Sequence, residues 1–337
     1  MKILVGCPVE IGLQCGGAYL PTRVKNRRRK KRKPVQALEY LGVSVLLALA
    51  RLLPLKVGRL VSEHLGGVLY ALLRRRRFIA LENVSRAFPE DTSLNCSVIA
   101  RRSFSSFVLT CFEALKFEYI IGEQDAAAEP VAVSEELRKL LHKARRIHDG
   151  SGGCIFVTPH IGNWELLPFA GSMVGIPLVA VVRPLDNVYL EKLLYKKRAE
   201  SKQIIIPKRN ALSVLQVTLK QGKSIGMLPD QGTGQGIPVS FFGREAFTTP
   251  VPAMLAVMYR RPIVVVACCR SHDSRTFEGV VCDPIWPTDY SSEKEEIYRL
   301  SGRMNSEMET IIRRYPEQYL WMHDRWKRYK GRRKFLA

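Results

Sequence analysis

Gly153-Cys154-Ile155-Phe156-Val157-Thr158-Pro159-His160-Ile161-Gly162-Asn163-Trp164-Glu165, running on into the apolar stretch to Val174, decides the fold. Gly153 to Val157 reads as a short buried strand and Trp164 to Val174 as an apolar helix, which puts His160 at a strand end just before a helix N-terminus. Within one helix a five-residue step would turn His160 and Glu165 about 140° apart, whereas a loop histidine can meet a carboxylate in the next first turn. Such a carboxylate keeps one imidazole nitrogen protonated and leaves the other to accept a proton from a hydroxyl. The free N–H groups of the helix start favour a developing negative charge. On the pair alone, a loop histidine merely satisfied by its neighbour is an equal alternative.

Outward from this segment, strands and helices alternate. Leu178 to Val182, Ile204 to Ile206, Ser224 to Leu228 and Ile263 to Cys268 read as strands. Helices are expected at 95–117, 134–147, 189–200, 211–220 and 251–260, with a long charged one at 291–314. That alternation predicts an α/β fold, a single mixed, largely parallel sheet covered by helices on both faces. Three short templates fail. Gly222-Lys223-Ser224 lacks the earlier glycine of a phosphate loop, Val217 standing in its place. The Gly232 to Gly236 run has Ile237 and Pro238 where a dinucleotide fingerprint needs glycine and a helix, so it reads as a mobile loop. No Gly-x-Ser-x-Gly elbow occurs, which removes the main support for serine esterase chemistry.

The formal charge of +22 is concentrated. Nine basic residues lie in Arg23 to Lys33, four in Arg74 to Arg77 and seven in Arg325 to Lys334, with no acid among them, and the rest of the chain is nearly neutral. Such patches suit an anionic membrane surface, phosphorylated lipid, an acidic carrier protein or nucleic acid. The apolar segment Val35 to Leu55 has an uncharged core only from Tyr40 to Ala50, short for a spanning helix, so it reads as a membrane anchor, either a marginal span or an interfacial helix. Behind it Val57, Leu60, Val61, Leu65, Val68, Leu69, Leu72 and Leu73 repeat at three and four, an amphipathic stripe that a core-facing helix explains equally well. The eight cysteines show no C-x2-C pair, which argues against a metal centre or a disulfide framework, and Cys154 reads as core. The expected organisation is a basic extension over 1–34, an anchor helix over 35–55, a catalytic domain over 56–330 and a basic tail over 331–337.

The chain also resembles a known family over roughly Gln36 to Lys330. Its landmarks are Leu38-Glu39-Tyr40-Leu41, Leu53-Pro54-Leu55, Asn83 to Pro89, the His160 to Glu165 motif, Val182-Arg183-Pro184, Leu228-Pro229-Asp230-Gln231, Phe241-Phe242-Gly243, and Tyr319 to Lys327. On these it is similar to the bacterial lipid A late acyltransferases, which share a His-x4-Asp/Glu motif with glycerolipid acyltransferases. The resemblance implies transfer of a fatty acyl chain from acyl carrier protein to a hydroxyl of a hydroxyacyl chain on a lipid A precursor, at the cytoplasmic face of the inner membrane. It implies no cofactor and no metal. His160 would be the general base and Glu165 would orient it. Arg183 and Asp230 would serve substrate binding at the sheet edge, and Asn163 would brace the loop. A related acyltransferase acting on another glycolipid, such as a mannosylated inositol lipid, is the alternative. A basic nucleic-acid-binding protein is a further alternative, but it leaves the His160–Glu165 pair and the apolar anchor unexplained.

Overall fold

The computed structural model describes residues 33–89, 95–115, 135–182, 187–189, 204–207, 211–272 and 276–327. Arg183, the expected helix over 189–200 beyond its first residue, the extension before residue 33 and the tail beyond 327 lie outside these residues. Six strands form one sheet: β1 (Ile155–Val157), β2 (Leu178–Val182), β3 (Ile204–Pro207), β4 (Ser224–Met227), β7 (Ile263–Arg270) and β8 (Phe277–Val281). Their order is β3-β2-β4-β1-β7-β8, with the first five mutually parallel and β8 antiparallel at the edge. The expected α/β architecture with a mixed, largely parallel sheet is therefore observed.

The strands are short apolar runs because both faces of the sheet are covered. All three residues of β1 and all eight of β7 are buried. Side chains alternate between two cores, as the two-residue period of a strand requires. Ile155, Val157, Ile263 and Val265 enter the larger core, which also takes residues from α7 (Ala211–Lys220), α8 (Val251–Tyr259) and α9 (Glu293–Arg314). Phe156, Val264 and Val266 face the other way, toward Ala144 of α5 (Glu135–Ser151) and Ile176 beyond α6 (Leu167–Met173). The Gly232 to Gly236 run is a turn, Gly236 N–H donating to Thr233 O, and it opens a hairpin that the sequence reading missed. In that hairpin β5 (Ile237–Phe241) and β6 (Arg244–Thr248) are joined by Phe242 and Gly243, both at positive φ, the conformation of the tight turns that match strand twist.

Four N-terminal helices pack around this body: α1 (Lys33–Leu52), α2 (Leu55–Leu72), α3 (Arg74–Ala87) and α4 (Cys96–Leu115). No helix among the described residues is long and apolar enough to cross a membrane. Helix α1 is tied to residues 187–189, Asn187 Nδ2 donating to Gln36 O and to Glu39 Oε2. Helix α2 meets α4 through Gly58, Ser62 and Gly66, all buried. A Cβ on Gly58 would stand 2.0 Å from the Phe112 ring, and one on Gly66 2.4 Å from the Ser105 backbone. The family landmarks converge: Asn83 Nδ2 donates to Trp321 O and His323 O, and Phe88, Phe242 and Trp321 stack edge to face.

Because the obstacle at Gly66 is backbone, Gly66→Val is expected to lower stability by about 1–3 kcal/mol, as overpacking a filled contact does. Gly42→Ala, where an added Cβ meets nothing within 4 Å, is the control and should hold or slightly raise the melting temperature. Thermal melts followed by circular dichroism check both.

Candidate active site

Strand pairing builds the site. Strands β1 and β4 are parallel neighbours with Val157 opposite Met227, so the residues three beyond each partner, His160 and Asp230, emerge side by side at the carboxyl edge of the sheet. Both are preceded by proline, which lacks the N–H that would continue a ladder. His160 N–H donates to Asp230 Oδ2 at 2.8 Å, and Nδ1 lies 2.7 Å from Oδ1. An ionised carboxylate only accepts, so Nδ1 carries the proton and the Nε2 lone pair is free to act as a base. The Gln231 amide nitrogen lies 3.3 Å from Nε2, and Trp164 packs edge to face on the ring at 5.2 Å.

Electrostatics favour an ionised Asp230. Burial alone would push the Asp230 carboxyl up, but the His160 charge and both His160 hydrogen bonds, with Arg325 behind them, hold it below the usual carboxylate range. Burial, and then the Asp230 charge, drive the Tyr319 phenol well up, so that it stays neutral beside the pair. Burial holds His323 below the ordinary histidine range. Asp230 is 2% exposed and His160 18%, so the imidazole is the more accessible partner.

In the structure Asp230 makes the Nδ1 contact that the motif reading expected of Glu165. The two ring nitrogens of His160 are met by Asp230 and Gln231. Glu165 sits half-buried in the 3-10 turn Trp164–Leu166, close to Cys111, whose thiol is pushed up to about 11 by burial first and by Glu165 second. Asp230 is buried, with both carboxylate oxygens on His160. Asn163 is fully buried, makes no side-chain capping bond and turns its amide into the core, where it donates to Glu113 Oε2 at 2.8 Å. Cys154 is core, as expected, its thiol pushed up to about 12 by burial.

Two charged residues that the sequence reading overlooked carry the loop. Arg270, at the end of β7, donates to both oxygens of Glu113 on α4 and to Ser106 and Thr110 of the same helix. Thr110 in turn donates to Gly162 O at 2.7 Å. The loop backbone is pinned on its other sides by Gly162 N–H to Gln318 O, Asn163 N–H to Cys268 O and Leu320 N–H to His160 O. Gly162 adopts φ +58°, and a Cβ there would lie 2.1 Å from Cys268 O, so only glycine fits. The signal for Glu113 and Arg270 was faint: one acid in an apolar helix and one base ending an apolar strand.

Beside His160 is an apolar cavity of about 120 Å³, walled by β1, β2, β4, β7, β8, α5 and α6. Thr158 and Trp164, which flank His160, and Leu228, two residues before Asp230, reach its lining. Among the described residues no group of three or more His, Cys, Asp or Glu side chains is placed to hold a metal ion.

A histidine base beside an apolar slot fits the family that the landmarks suggest, and comparison decides it. The model of the bacterial lipid A biosynthesis acyltransferase family matches residues 24–328. The chain belongs to that family. It is 24% identical over 297 residues to the lipid A biosynthesis palmitoleoyltransferase of Escherichia coli (strain K12), covering 86% of this chain and 91% of that protein. It is 25% identical over 295 residues to the lipid A biosynthesis lauroyltransferase of the same organism, with the same coverage. A lipid A biosynthesis acyltransferase of Haemophilus influenzae is 23% identical over 303 residues. This lipid A biosynthesis acyltransferase thus holds His160 in a loop tied to an aspartate that follows the neighbouring strand.

If Asp230 fixes the tautomer, Asp230→Asn should turn an amide donor or a weaker acceptor toward Nδ1 and cost much of the general-base contribution, about 10² to 10⁴ in rate. The single-turnover rate with saturating acyl donor measures it. A rate within a few fold of wild type would reduce Asp230 to a structural anchor of the loop.

Proposed function

We propose that the enzyme transfers a fatty acyl chain from acyl carrier protein to a hydroxyl of a hydroxyacyl chain on a lipid A precursor, with His160 as general base. The observation that carries this reading is the His160–Asp230 couple, whose neighbours Thr158, Trp164 and Leu228 line an apolar cavity. The acceptor hydroxyl takes the position of the Gln231 amide and gives its proton to His160 Nε2 as its oxygen attacks the thioester carbonyl. The imidazolium is held by Asp230, with the Glu165 carboxylate as a further negative charge near the loop. Collapse of the tetrahedral intermediate breaks the carbon–sulfur bond, and the departing thiolate takes the proton back. The donor's acyl chain lies in the cavity, whose walls are almost wholly hydrocarbon. Arg183, next after β2, binds a phosphate or the developing oxyanion, a task for which a planar guanidinium is suited. The site works at the cytoplasmic face of the inner membrane, with α1 as an interfacial anchor rather than a span.

His160→Ala and Glu165→Ala are each expected to lower transfer by orders of magnitude with vesicle binding intact, and Arg183→Lys to raise the acceptor concentration needed for half-maximal rate. Acyl transfer from labelled acyl carrier protein reads all three. Mass spectrometry of lipid A from a deletion strain, complemented with each variant, names the chain that is lost. Near wild-type turnover by His160→Ala would sink the mechanism.

Chain length offers a separate check on where the acyl group lies. Gly171 on α6 lines the cavity, and a Cβ there would meet only Leu178 at 3.8 Å, so a larger side chain has room to enter the slot. Gly171→Leu is expected to shift donor preference toward shorter acyl chains with the rate on the preferred chain retained. An unchanged chain-length profile would place the acyl group elsewhere.

A further inference from the structure

Helix α2 is built with its small residues inward and its large apolar residues outward. Gly58, Ser62 and Gly66 form the face against α4, at a spacing of four that lets two helix backbones approach closely. Val57, Leu60, Val61, Leu65, Val68 and Leu72 are all exposed, Leu60 by 58% and Leu72 by 71%. At 100° per residue these six fall within one arc of about 140°, broken only by His64, whose Nδ1 turns back to Leu60 O. Water would favour the reverse arrangement, since scattered single exposed leucines are ordinary but a continuous apolar helix face marks an interaction surface.

The charge next to that face says what covers it. Arg74, Arg75, Arg76 and Arg77 follow directly on Leu72 and Leu73 with no acid among them. Arg76 donates to Met322 O and Arg77 stacks over Tyr70, while Arg74 and Arg75 are exposed and, among the described residues, enter no ion pair. An apolar helix face that ends in an acid-free basic ridge complements a bilayer with anionic headgroups, hydrocarbon taking the leucines and headgroup phosphates the arginines. The ridge alone would suit any acidic partner, but the apolar arc selects lipid.

We propose that the outward face of α2, with the ridge Arg74 to Arg77, docks the enzyme on an anionic bilayer. The helix then lies in the plane of the interface. Its first residue, Leu55, packs against the cluster of Leu166, Cys268 and Phe277, all of which line the cavity, so docking brings that cavity's surroundings to the lipid surface. The inference takes its lipid acceptor from the proposed reaction, but its deciding readout is vesicle binding, which needs no turnover, so the two readings can fail separately.

The probe is phosphatidylglycerol–phosphatidylethanolamine vesicles with the full chain. Leu65→Trp should add emission that shifts to the blue on vesicle binding and is quenched by brominated acyl chains. Lys294→Trp, in the first turn of α9, should not be quenched. The double variant Leu65→Glu, Val68→Glu should lose vesicle affinity by on the order of tenfold or more, in high salt as well as low, and still acylate a detergent-dispersed acceptor. Arg74→Glu with Arg75→Glu should weaken binding chiefly at low salt. Bound Leu65→Trp protein whose added emission is not quenched would overturn the proposal. So would a double variant that binds vesicles normally but changes from dimer to monomer, which would give the face to a second copy, or one that binds vesicles normally but needs far more acyl carrier protein, which would give it to the donor.

Discussion

The parallel pairing of β1 with β4 is the constraint on which the site rests. Three residues of each strand set the register, Val157 against Met227, and from there the chain has only to continue three residues on each side for His160 to meet Asp230. Two hydrogen bonds fix both the backbone and the ring of the histidine on one carboxylate. A carboxylate this buried would ordinarily be driven toward its neutral form; here the imidazole charge and those hydrogen bonds win. Tautomer and loop position are therefore one interaction, and a slip in strand register would lose both.

That couple needs a floor that does not move, and the chain supplies one from distant segments. Glu113 and Arg270 are 157 residues apart in sequence and each is less than a tenth exposed, with Asn163, Thr110 and Ser106 completing their hydrogen bonds. Breaking a buried pair of this kind by removing one partner typically costs about 3–5 kcal/mol, because a charge is left stranded. The pair is thus a poor source of net stability but a strong source of specificity: it allows few positions for the Gly162–Asn163 backbone, and the histidine hangs from that backbone.

What was legible in the sequence is what is local. Alternation gave the sheet class, and the edges of β2, α7 and α9 lie within two residues of where periodicity placed them. His160 stood out because a strand, a turn and a helix start surround it. Its partner did not, since Glu165 is five residues away and Asp230 seventy, and nothing in a single chain announces that two strands will be neighbours. One clue existed: Val157-Thr158-Pro159-His160 and Met227-Leu228-Pro229-Asp230 end two apolar strands in the same way. The β5–β6 hairpin was missed because Phe242 bears the first positive φ of its turn, a residue not read as a turn former. Edge strand β8 was missed too. Arg183 lies outside the described residues, so its part remains a proposal.

Periodicity identified α2 but not which way its stripe faces, and that ambiguity is physical. An apolar arc is the same pattern whether its solvent is a protein core or a lipid chain. The deciding signal is the opposite arc: a helix that buries leucines against its neighbour presents polar residues outward, whereas this one buries Gly58, Ser62 and Gly66 and presents Leu60, Leu65 and Leu72. Close backbone approach between α2 and α4 leaves the large side chains no room between the helices, so packing α4 tightly forces them outward. The same helix α4 supplies Glu113 and Thr110 to the floor of the catalytic loop. One helix thus links the surface proposed to meet lipid with the residues that hold the base.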